Sequence, residues 1–478
     1  MQLVAIKILD SRKSQLAFFT FLLAACSIVA FPSEGLAQAR LDTSFGKGGI
    51  ASVRAQFVGG TSLLQTSALE VGGDGKVLVA GNGSVGDRTK VVVVRLHSNG
   101  RVDKEFGTRG FFIGPRISKA PNGKDRVGFG QALDLDKRGG VLISGPSTPL
   151  SQSGPNWTSN CAFLARVTPA GLFDIGFREG GGKWQCLRRG EAKVRAINAG
   201  SGVSLGLEPR SIDVGGNGQI LVGGQTLRRG RTTAAFVARY STDGILDRRF
   251  RGDVATRSGQ NGIVQVFAGR YAHALANEVR TLKHRKTLVV GQADGKLMVA
   301  RLTATGGLDR SFAKNGVLLR DIDGTECDCS VATGVAFDKR GRIVVVGYWA
   351  GKSGLSYKHP VLMRFRRNGT LDRTFGHGGV VKPRLSRYFE SSKVVLQNDG
   401  RIVLGGSLYN RRSKRFTLIR FLANGRRDRS FFRGGLLTPS GARLGMIASD
   451  VTIDNRGRVL ATGGGAGYFS ALRLLPGQ

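Results

Sequence analysis

The chain has 478 residues, of which 72 are Lys or Arg and 33 are Asp or Glu, so its formal net charge is +39. Such an excess favours contacts with polyanions or anionic surfaces, but it bears on solubility and non-specific binding and excludes no fold. After residue 39 no stretch reaches the ~20 apolar residues that a membrane span requires, so we expect no transmembrane helix in the mature protein.

The first 39 residues have the features of a secretory signal. Basic residues precede the apolar run 16–31, and Ala37 and Ala39 form an A-x-A cleavage site. The sequence therefore predicts a signal peptide over residues 1–39, a mature chain that begins at Arg40, and a secreted or periplasmic protein. A lipoprotein signal is the alternative, because Cys26 follows small residues inside the apolar run.

One pattern recurs along the rest of the chain. Each unit has a Gly- or Asp-containing turn, a strand that ends in Gly, a strand that ends near an arginine, and a D-x-x-F motif before another strand. The D-x-x-F aspartates are Asp42, Asp103, Asp174, Asp247, Asp309, Asp372 and Asp428. The arginines, 53 to 73 residues apart, are Arg95, Arg166, Arg239, Arg301, Arg364, Arg420 and Arg473. In six units the arginine lies eight positions before the aspartate.

The two ends of the mature chain complete one repeat. Arg473 has no aspartate after it, but counting on from Gln478 to Arg40 reaches Asp42 at the eighth step. Repeats of four short antiparallel strands are typical of propeller blades, and a circular array must close or leave unpaired strand edges. We therefore predict an all-β, seven-bladed β-propeller over 40–478, closed by pairing the N-terminal strand with the C-terminal blade. An open β-solenoid, the alternative, requires no such complementary ends.

The repeat also gives approximate bounds for the blades of this single domain. They are 68–114, 131–188, 210–254, 278–320, 333–383, 392–438, and 450–478 together with 40–56.

Two segments resemble a known family. The pattern N-G-x-L-D-x-x-F-G-x-x-G in Asn368–Gly379 and the D-G-R-I-V-L-G-G run of Asp399–Gly406 are similar to the bacterial delta-60 repeat, found in exported proteins. The resemblance extends over 40–478 and is weakest at 278–291. It implies a propeller fold, and it implies no defined catalytic residues.

The residues that recur in every unit are interpreted as structural. The aspartate of D-x-x-F can accept backbone N–H bonds within its turn, and the arginine ends the opposing strand, where the two can form a charge-assisted hydrogen bond. The phenylalanine is expected to fill the gap between neighbouring sheets. A ring of seven ligand-binding Asp or Arg residues is the alternative.

Segments that vary between units indicate where ligands bind. In a four-stranded blade, the second-to-third loops and the inter-blade connectors share one side, here called the loop face, and the two other turns share the opposite side, the turn face. The predicted loops are 146–160, 225–232, 348–360 and 407–415, and the predicted connectors are 115–130, 187–210 and 253–277. Insertions on one face of a repeat array often mark its binding face.

The predicted loop face is basic and carries two tryptophans that could stack on a sugar or a base. The candidate ligand-binding residues are Arg228, Arg229, Arg231, Arg411, Arg412, Lys414, Arg415, Trp157 and Trp349. Arginines such as Arg366, Arg367, Arg426 and Arg427 occupy the turn face too, so a generally cationic surface is the alternative. Contacts with phosphate-like groups would make affinity fall steeply with salt.

The cysteines leave several possibilities open. Cys161 lies on a third strand and Cys186 on the predicted fourth strand that follows, so a cross-strand disulfide is possible. Cys327 and Cys329 could close a small ring, hold a metal or remain thiols. No further ligand set accompanies them, and the sequence predicts no metal site and no cofactor.

The function that we predict is an exported binding or interaction module for an anionic polymer, an envelope surface or a protein partner, acting as a monomer. Nucleic acid would bind non-specifically. The alternative is a propeller hydrolase or lyase that acts on a polysaccharide or lactone at the channel mouth, since propeller enzymes assemble sites from residues distant in sequence. The sequence contains no catalytic motif and no catalytic residue is assigned. A purely structural envelope component is a third possibility.

Overall fold

The second strand of a repeat is a short apolar run between turns, as in Ile343-Val344-Val345-Val346. β-Branched residues favour extended backbone, and Gly341 adopts the positive φ of 72° that the preceding turn needs. Val344 and Val345 are both fully buried, so neighbouring sheets cover this strand on both faces. Because an apolar strand of this kind needs cover on both faces, the repeated blades pack face to face around a ring.

The computed structural model describes the following residues, and every statement below concerns them: 40–54, 63–85, 88–114, 126–128, 132–149, 161–177, 192–194, 197–199, 203–228, 231–252, 258–260, 262–266, 273–322, 330–350, 358–410, 412–439, 444–465 and 467–476. Residues Ala37–Gln478 belong to one compact unit. The described part of the chain contains no helix whose length and hydropathy suit a bilayer span.

The described strands form seven antiparallel sheets, numbered here as blades in chain order. Blade 1 contains β2 (Leu63–Val71), β3 (Val77–Val85), β4 (Arg88–Leu96) and β5 (Phe111–Ile113). Blade 2 contains β6 (Arg126–Gly128), β7 (Ala132–Leu135), β8 (Val141–Pro149), β9 (Cys161–Val167) and β10 (Ala192–Val194). Blade 3 contains β11 (Ile197–Ala199), β12 (Val203–Val214), β13 (Ile220–Arg228), β14 (Arg231–Tyr240), β15 (Ser258–Gln260) and β16 (Ile263–Val266).

Blades 4 to 6 are regular four-stranded sheets. Blade 4 contains β17 (Ala274–Thr281), a 3-10 turn (Lys283–Arg285), β18 (Thr287–Ala293), β19 (Lys296–Leu302) and β20 (Val317–Arg320). Blade 5 contains β21 (Ser330–Phe337), β22 (Ile343–Ala350), β23 (Lys358–Phe365) and β24 (Val380–Val381). Blade 6 contains β25 (Tyr388–Leu396), β26 (Ile402–Tyr409), β27 (Lys414–Phe421) and β28 (Leu436–Leu437).

Blade 7 joins the two ends of the described chain, which confirms the predicted closure of a seven-bladed propeller. It contains β29 (Asp450–Ile453), β30 (Val459–Gly465), β31 (Tyr468–Leu474) and, from the N-terminal side, β1 (Ile50–Arg54). In the β1–β31 register Ile50 lies opposite Leu472, and Arg54 lies opposite Tyr468. The Asp42 N–H also donates to the Arg473 carbonyl at 2.9 Å.

Apolar packing between consecutive blades holds the ring together. Each buried apolar cluster among the described residues contains side chains from two neighbouring blades. One of these clusters joins blade 7 to blade 1, with Phe45 and Phe469 packed near Leu69 and Val92. The contact between blades 7 and 1 therefore has the same kind of apolar packing as the contacts between the other consecutive blades.

The recurring arginine, aspartate and phenylalanine contact one another in every blade. Each arginine Nε donates to its aspartate at 2.7–3.0 Å. Each arginine also lies over the ring of the following phenylalanine, 4.3–4.8 Å from its centroid. In blade 5, Arg364 reaches the next blade as well, because its Nη1 donates to the Ala423 carbonyl at 2.6 Å. The Arg364 side chain thus contacts the aspartate of its own hairpin, the buried Phe375 ring and the backbone of the neighbouring blade.

Blades 2 and 3 differ from the predicted strand positions. The strand that follows the third strand of blade 2 is β10, at 192–194, and that of blade 3 is β16, at 263–266. The sequence predicts connectors on the loop face at both segments, and the strand pairing shows that this prediction is wrong. In both blades extra residues separate the D-x-x-F motif from the last strand in the sequence.

Candidate functional site

The first strand of each blade lines the centre of the ring. A cavity of about 360 Å³ lies there, and charged side chains from six of these strands border it. They include acids at equivalent positions, since Glu70, Asp134 and Asp213 pair in register with Leu78, Leu142 and Leu221. A strongly basic protein therefore has a largely acidic inner channel.

Several channel carboxylates bridge to the next blade. Asp134 Oδ2 accepts the Val214 N–H at 2.6 Å, and Asp213 Oδ2 accepts the Thr281 N–H at 2.7 Å. Asp450 accepts the Leu69 N–H at 3.0 Å across the junction of the chain ends. Because buried backbone donors need partners, these acids stabilise the free edges of the innermost strands.

Blades 4 and 6 supply cations to one side of the channel. Arg280 lies 2.5 Å from Glu278 and donates to Asp213 at 3.2 Å, and Lys393 Nζ lies 3.4 Å from Glu278. Although burial raises the pKa of Glu278, the charges of Arg280 and Lys393 outweigh it and lower that pKa. Glu278 is therefore an ionised member of an ion-pair network.

The opposite side of the channel holds carboxyls that resist ionisation. Burial, followed by the charges of Asp134 and Asp450, raises the pKa of Glu70 well above its ordinary value. Burial and the charge of Asp213 raise the pKa of Asp134 to about 7. A carboxyl that titrates near neutral pH in a cavity, as Asp134 does, can exchange protons with a ligand. Among the described residues no His, Cys, Asp or Glu side chains are grouped as a metal site.

A second candidate site lies on the loop face, where aromatic residues of blades 5 and 6 meet. Trp349 stacks on His359 with ring centroids 4.6 Å apart, and the His359 ring meets the edge of Tyr388 at 5.3 Å. Tyr388 lies 5.9 Å from Tyr409. With Tyr348, these residues are called the blade 5–6 cluster; each is partly exposed.

Lysines surround the rings of the blade 5–6 cluster. Lys358 Nζ lies 4.5 Å from the Tyr348 centroid, and Lys382 Nζ lies 5.4 Å from the Trp349 centroid. Lys358 and Lys414 both form ion pairs with Glu390. Although burial lowers the pKa of Lys358, Glu390 outweighs it and the pKa is raised. This lysine therefore stays charged beside the rings.

The structure brings some of the predicted ligand-binding residues together. Trp349 and Lys414 belong to this region, and Arg412 and Arg415 are exposed beside it on blade 6. Arg228 and Arg231 lie opposite each other at the ends of β13 and β14, and their side chains lie outside the described part.

Trp157, Arg229, Arg411, Cys186, Cys327 and Cys329 lie outside the described residues. Cys161 begins β9, so the disulfide with Cys186 stays a prediction, as do the roles of all the candidate ligand-binding residues.

The sequence interpretation missed the channel acids. A signal was present, since Glu70, Asp134 and Asp213 are single acids among apolar neighbours in first strands. An isolated charge in an otherwise apolar strand indicates a polar surface inside the fold.

Comparisons with known proteins agree with the fold. Residues 72–106, 215–250 and 397–431 match the family model described as "Domain of unknown function (DUF5122) beta-propeller". Each match begins at a first turn and ends at the phenylalanine of D-x-x-F, which supports a propeller repeat family. A search of curated protein sequences finds no match.

Solved structures with similar folds are distant in sequence. A protein of unknown function from Dyadobacter fermentans DSM 18053 has a TM-score of 0.39 and 11% identity, covering 79% of this chain and 97% of that chain. The WD40 β-propeller domain of Doa1 has a TM-score of 0.37 and 11% identity, with 87% and 97% covered. The gluconolactonase XC5397 from Xanthomonas campestris has a TM-score of 0.32 and 12% identity, with 75% and 94% covered. At this level of similarity, none of them indicates what this chain binds.

Proposed function

We propose that this propeller is an exported binding module that holds an anionic polymer on its loop face. The observation that carries the proposal is the pair Arg412 and Arg415, which are exposed on the loop face of blade 6 and form no ion pair with any described carboxylate. The delta-60 relationship, the signal peptide, the monomeric state, and contact with an envelope surface or protein partner belong to the same proposal.

The charge balance of this region supports the proposal. Glu390 is the carboxylate that contacts lysines there, and it already pairs with both Lys358 and Lys414. Arg412, Arg415 and Lys382 therefore add positive charge that described acids leave uncompensated. Exposed cations beside one another release counterions when a polyanion binds, so affinity should depend strongly on salt.

Replacing Arg412 and Arg415 with serine together is expected to weaken heparin binding and to reduce the slope of log Kd against log salt by about 2. The matched control is Arg426→Ser with Arg429→Ser, which removes two exposed arginines from the turn face of the same blade. Titration between ~0.05 and ~0.5 M salt measures both slopes. Equal losses in the two variants would favour a generally cationic surface, and salt-independent binding would contradict the proposal.

A second candidate function is hydrolysis or elimination at the channel, acting on a polysaccharide or lactone. The observation that favours it is the neighbouring pair Glu70 and Asp134, both lining the cavity and both with raised pKa values. In such a pair, the carboxyl that keeps its proton can act as an acid while an ionised neighbour acts as a base.

The variant Asp134→Asn tests both the proposed catalysis and the raised pKa of this channel carboxyl. The pKa of Asp134 rises from 3.8 to about 7 on folding, so its stabilising contribution is complete below pH ~4 and is lost as pH rises through 7. Asparagine does not ionise. Relative to the wild type, the variant should therefore gain on the order of 1–4 kcal/mol in unfolding free energy between pH 4 and pH 8.

Thermal unfolding at several pH values measures that gain, with the exposed turn acid variant Asp74→Asn as the control. An unchanged pH dependence would contradict the raised pKa. Hydrolytic activity that survives Asp134→Asn intact would count against catalysis by this residue.

A further inference from the structure

We infer that the blade 5–6 cluster is a subsite for an acidic sugar residue, such as a uronate, within the polymer that the loop face holds. The inference rests on the proposed function and names the ligand class and the place where it docks. The C–H bonds of a pyranose ring pack well against aromatic faces, whereas its carboxylate requires a nearby cation. The cluster combines both requirements in one patch.

The arrangement of the rings favours a sugar over a nucleic-acid base. Trp349 and His359 already stack on each other at 4.6 Å, and His359 meets the edge of Tyr388. A planar base needs an open ring face on which to stack. A saccharide is not planar, so its C–H groups can pack on the parts of the ring surfaces that stay exposed, next to the tyrosine hydroxyls.

The cations occupy positions suited to a carboxylate on such a sugar. Lys382 Nζ lies 5.4 Å from the Trp349 centroid and donates to the Ile322 carbonyl, and Lys414 Nζ lies 5.9 Å from the Tyr409 centroid, so contacts with the protein position both ammonium groups near the rings. Lys358 also anchors the patch through its backbone N–H, which donates to the Tyr409 hydroxyl at 2.9 Å. Pre-positioned side chains lose less conformational entropy when a ligand binds.

Glu390 gives the patch selectivity. It lies between Lys358 and Lys414, with its Oε2 3.3 Å from Lys414 Nζ, so a ligand carboxylate must compete with it or pair with the remaining cations. This arrangement favours a uronate chain, with one carboxylate per sugar residue, over a densely sulfated chain, because each added ligand charge would meet Glu390 as well.

Trp349 provides a direct reporter. The chain has three tryptophans, so the variant Trp157→Phe with Trp184→Phe leaves Trp349 as the sole source of tryptophan fluorescence. We expect an oligogalacturonate to change this emission on binding, whereas a neutral oligosaccharide and duplex DNA at equal concentration should not. DNA that changes the emission equally would overturn the choice of ligand class.

A substitution in the cluster supplies the affinity measurement. Tyr388→Ala should weaken oligogalacturonate binding by about tenfold or more, while Tyr468→Ala, a partly exposed tyrosine on the loop face of blade 7, should leave it unchanged. Tyr388→Phe, which keeps the ring, should retain most of the affinity even if the alanine variant folds poorly.

The two proposals fail in different ways. If oligogalacturonate and heparin bind but neither Trp349 emission nor the Tyr388 variants respond, the polymer docks elsewhere and this inference is wrong while the proposed function stands. If no polyanion binds the wild-type protein, the proposed function itself fails.

Discussion

Replacing Asp372 with alanine is expected to lower the free energy of unfolding by about 3–5 kcal/mol, because it leaves a buried arginine without its counter-charge. Arg364 Nε donates to Asp372 at 2.7 Å, and Arg342 Nη1 donates to the same carboxylate at 3.1 Å. Burial raises the pKa of Asp372, but hydrogen bonds from Thr374 and the charge of Arg364 outweigh it, and the pKa is about 2.

The expected loss also has a pH signature. A carboxyl whose pKa falls from 3.8 to about 2 on folding stabilises the protein above pH ~4, and this contribution disappears as pH falls through 2. The difference in stability between the wild type and Asp372→Ala should therefore be largest near neutral pH and should shrink in acid.

Chemical denaturation of Asp372→Ala measures the loss, and Asp399→Ala is the matched control. Asp399 is an exposed turn acid that pairs with Arg401, and exposed pairs contribute about 1 kcal/mol or less. Heparin affinity should stay nearly unchanged in both variants. A stable Asp372→Ala protein that no longer binds its ligand would instead support the ring of ligand-binding aspartates.

The structural use of these arginines bears on how the net charge is interpreted. Arg239, Arg420 and Arg473 are each about 1% exposed, and their counterparts in the other blades contact the same aspartate and phenylalanine. Part of the basic composition thus serves the fold and is not available to a ligand. The cations to which we assign binding in our proposal are exposed ones at loop tips, such as Arg412, and a count of charges alone does not distinguish them from the buried arginines.

The closed ring could be predicted from the sequence because its signal is local and repeated. The eight-residue spacing between arginine and aspartate describes one hairpin, and the spacing continues from Arg473 to Asp42 only if the ends belong to one sheet. The last strands of blades 2 and 3 were harder to place, because insertions separate them from their turns. In blade 3, Asn261-Gly262-Ile263-Val264 resembles Asn315-Gly316-Val317-Leu318 of blade 4, but it lies eight residues farther from the phenylalanine.

The channel acids were hard to predict for a different reason. The alternation of side chains along a regular strand does not show which acids face the channel when the strand contains a bulge. Several first strands contain a bulge, for example between Thr66 and Ala68, and between Ala276 and Glu278. One extra residue reverses which side chains face the centre. Without the position of the bulge, the sequence does not reveal whether Glu70 or its neighbour points inward.

A disulfide between β1 and β31 is expected to form within one chain and to raise the free energy of unfolding by about 2–4 kcal/mol. Ser52 and Ser470 lie directly opposite each other in the register, with their Oγ atoms 3.1 Å apart. Cross-strand neighbours at such a position suit a disulfide when their Cβ atoms face each other. The variant Ser52→Cys with Ser470→Cys would therefore lock the junction that closes the ring.

Peptide mapping under non-reducing conditions identifies the bond, and denaturation with and without reductant measures its effect; the two single-cysteine variants are the controls. If the propeller closes through its own ends, the bond is intramolecular and the protein remains a monomer on oxidation. A bond found only between two chains would mean that β1 completes a neighbour's blade. In that case Asp42 would pair with another molecule's Arg473, and the same repeat would build a swapped assembly, because the contacts at the junction are equivalent in both arrangements.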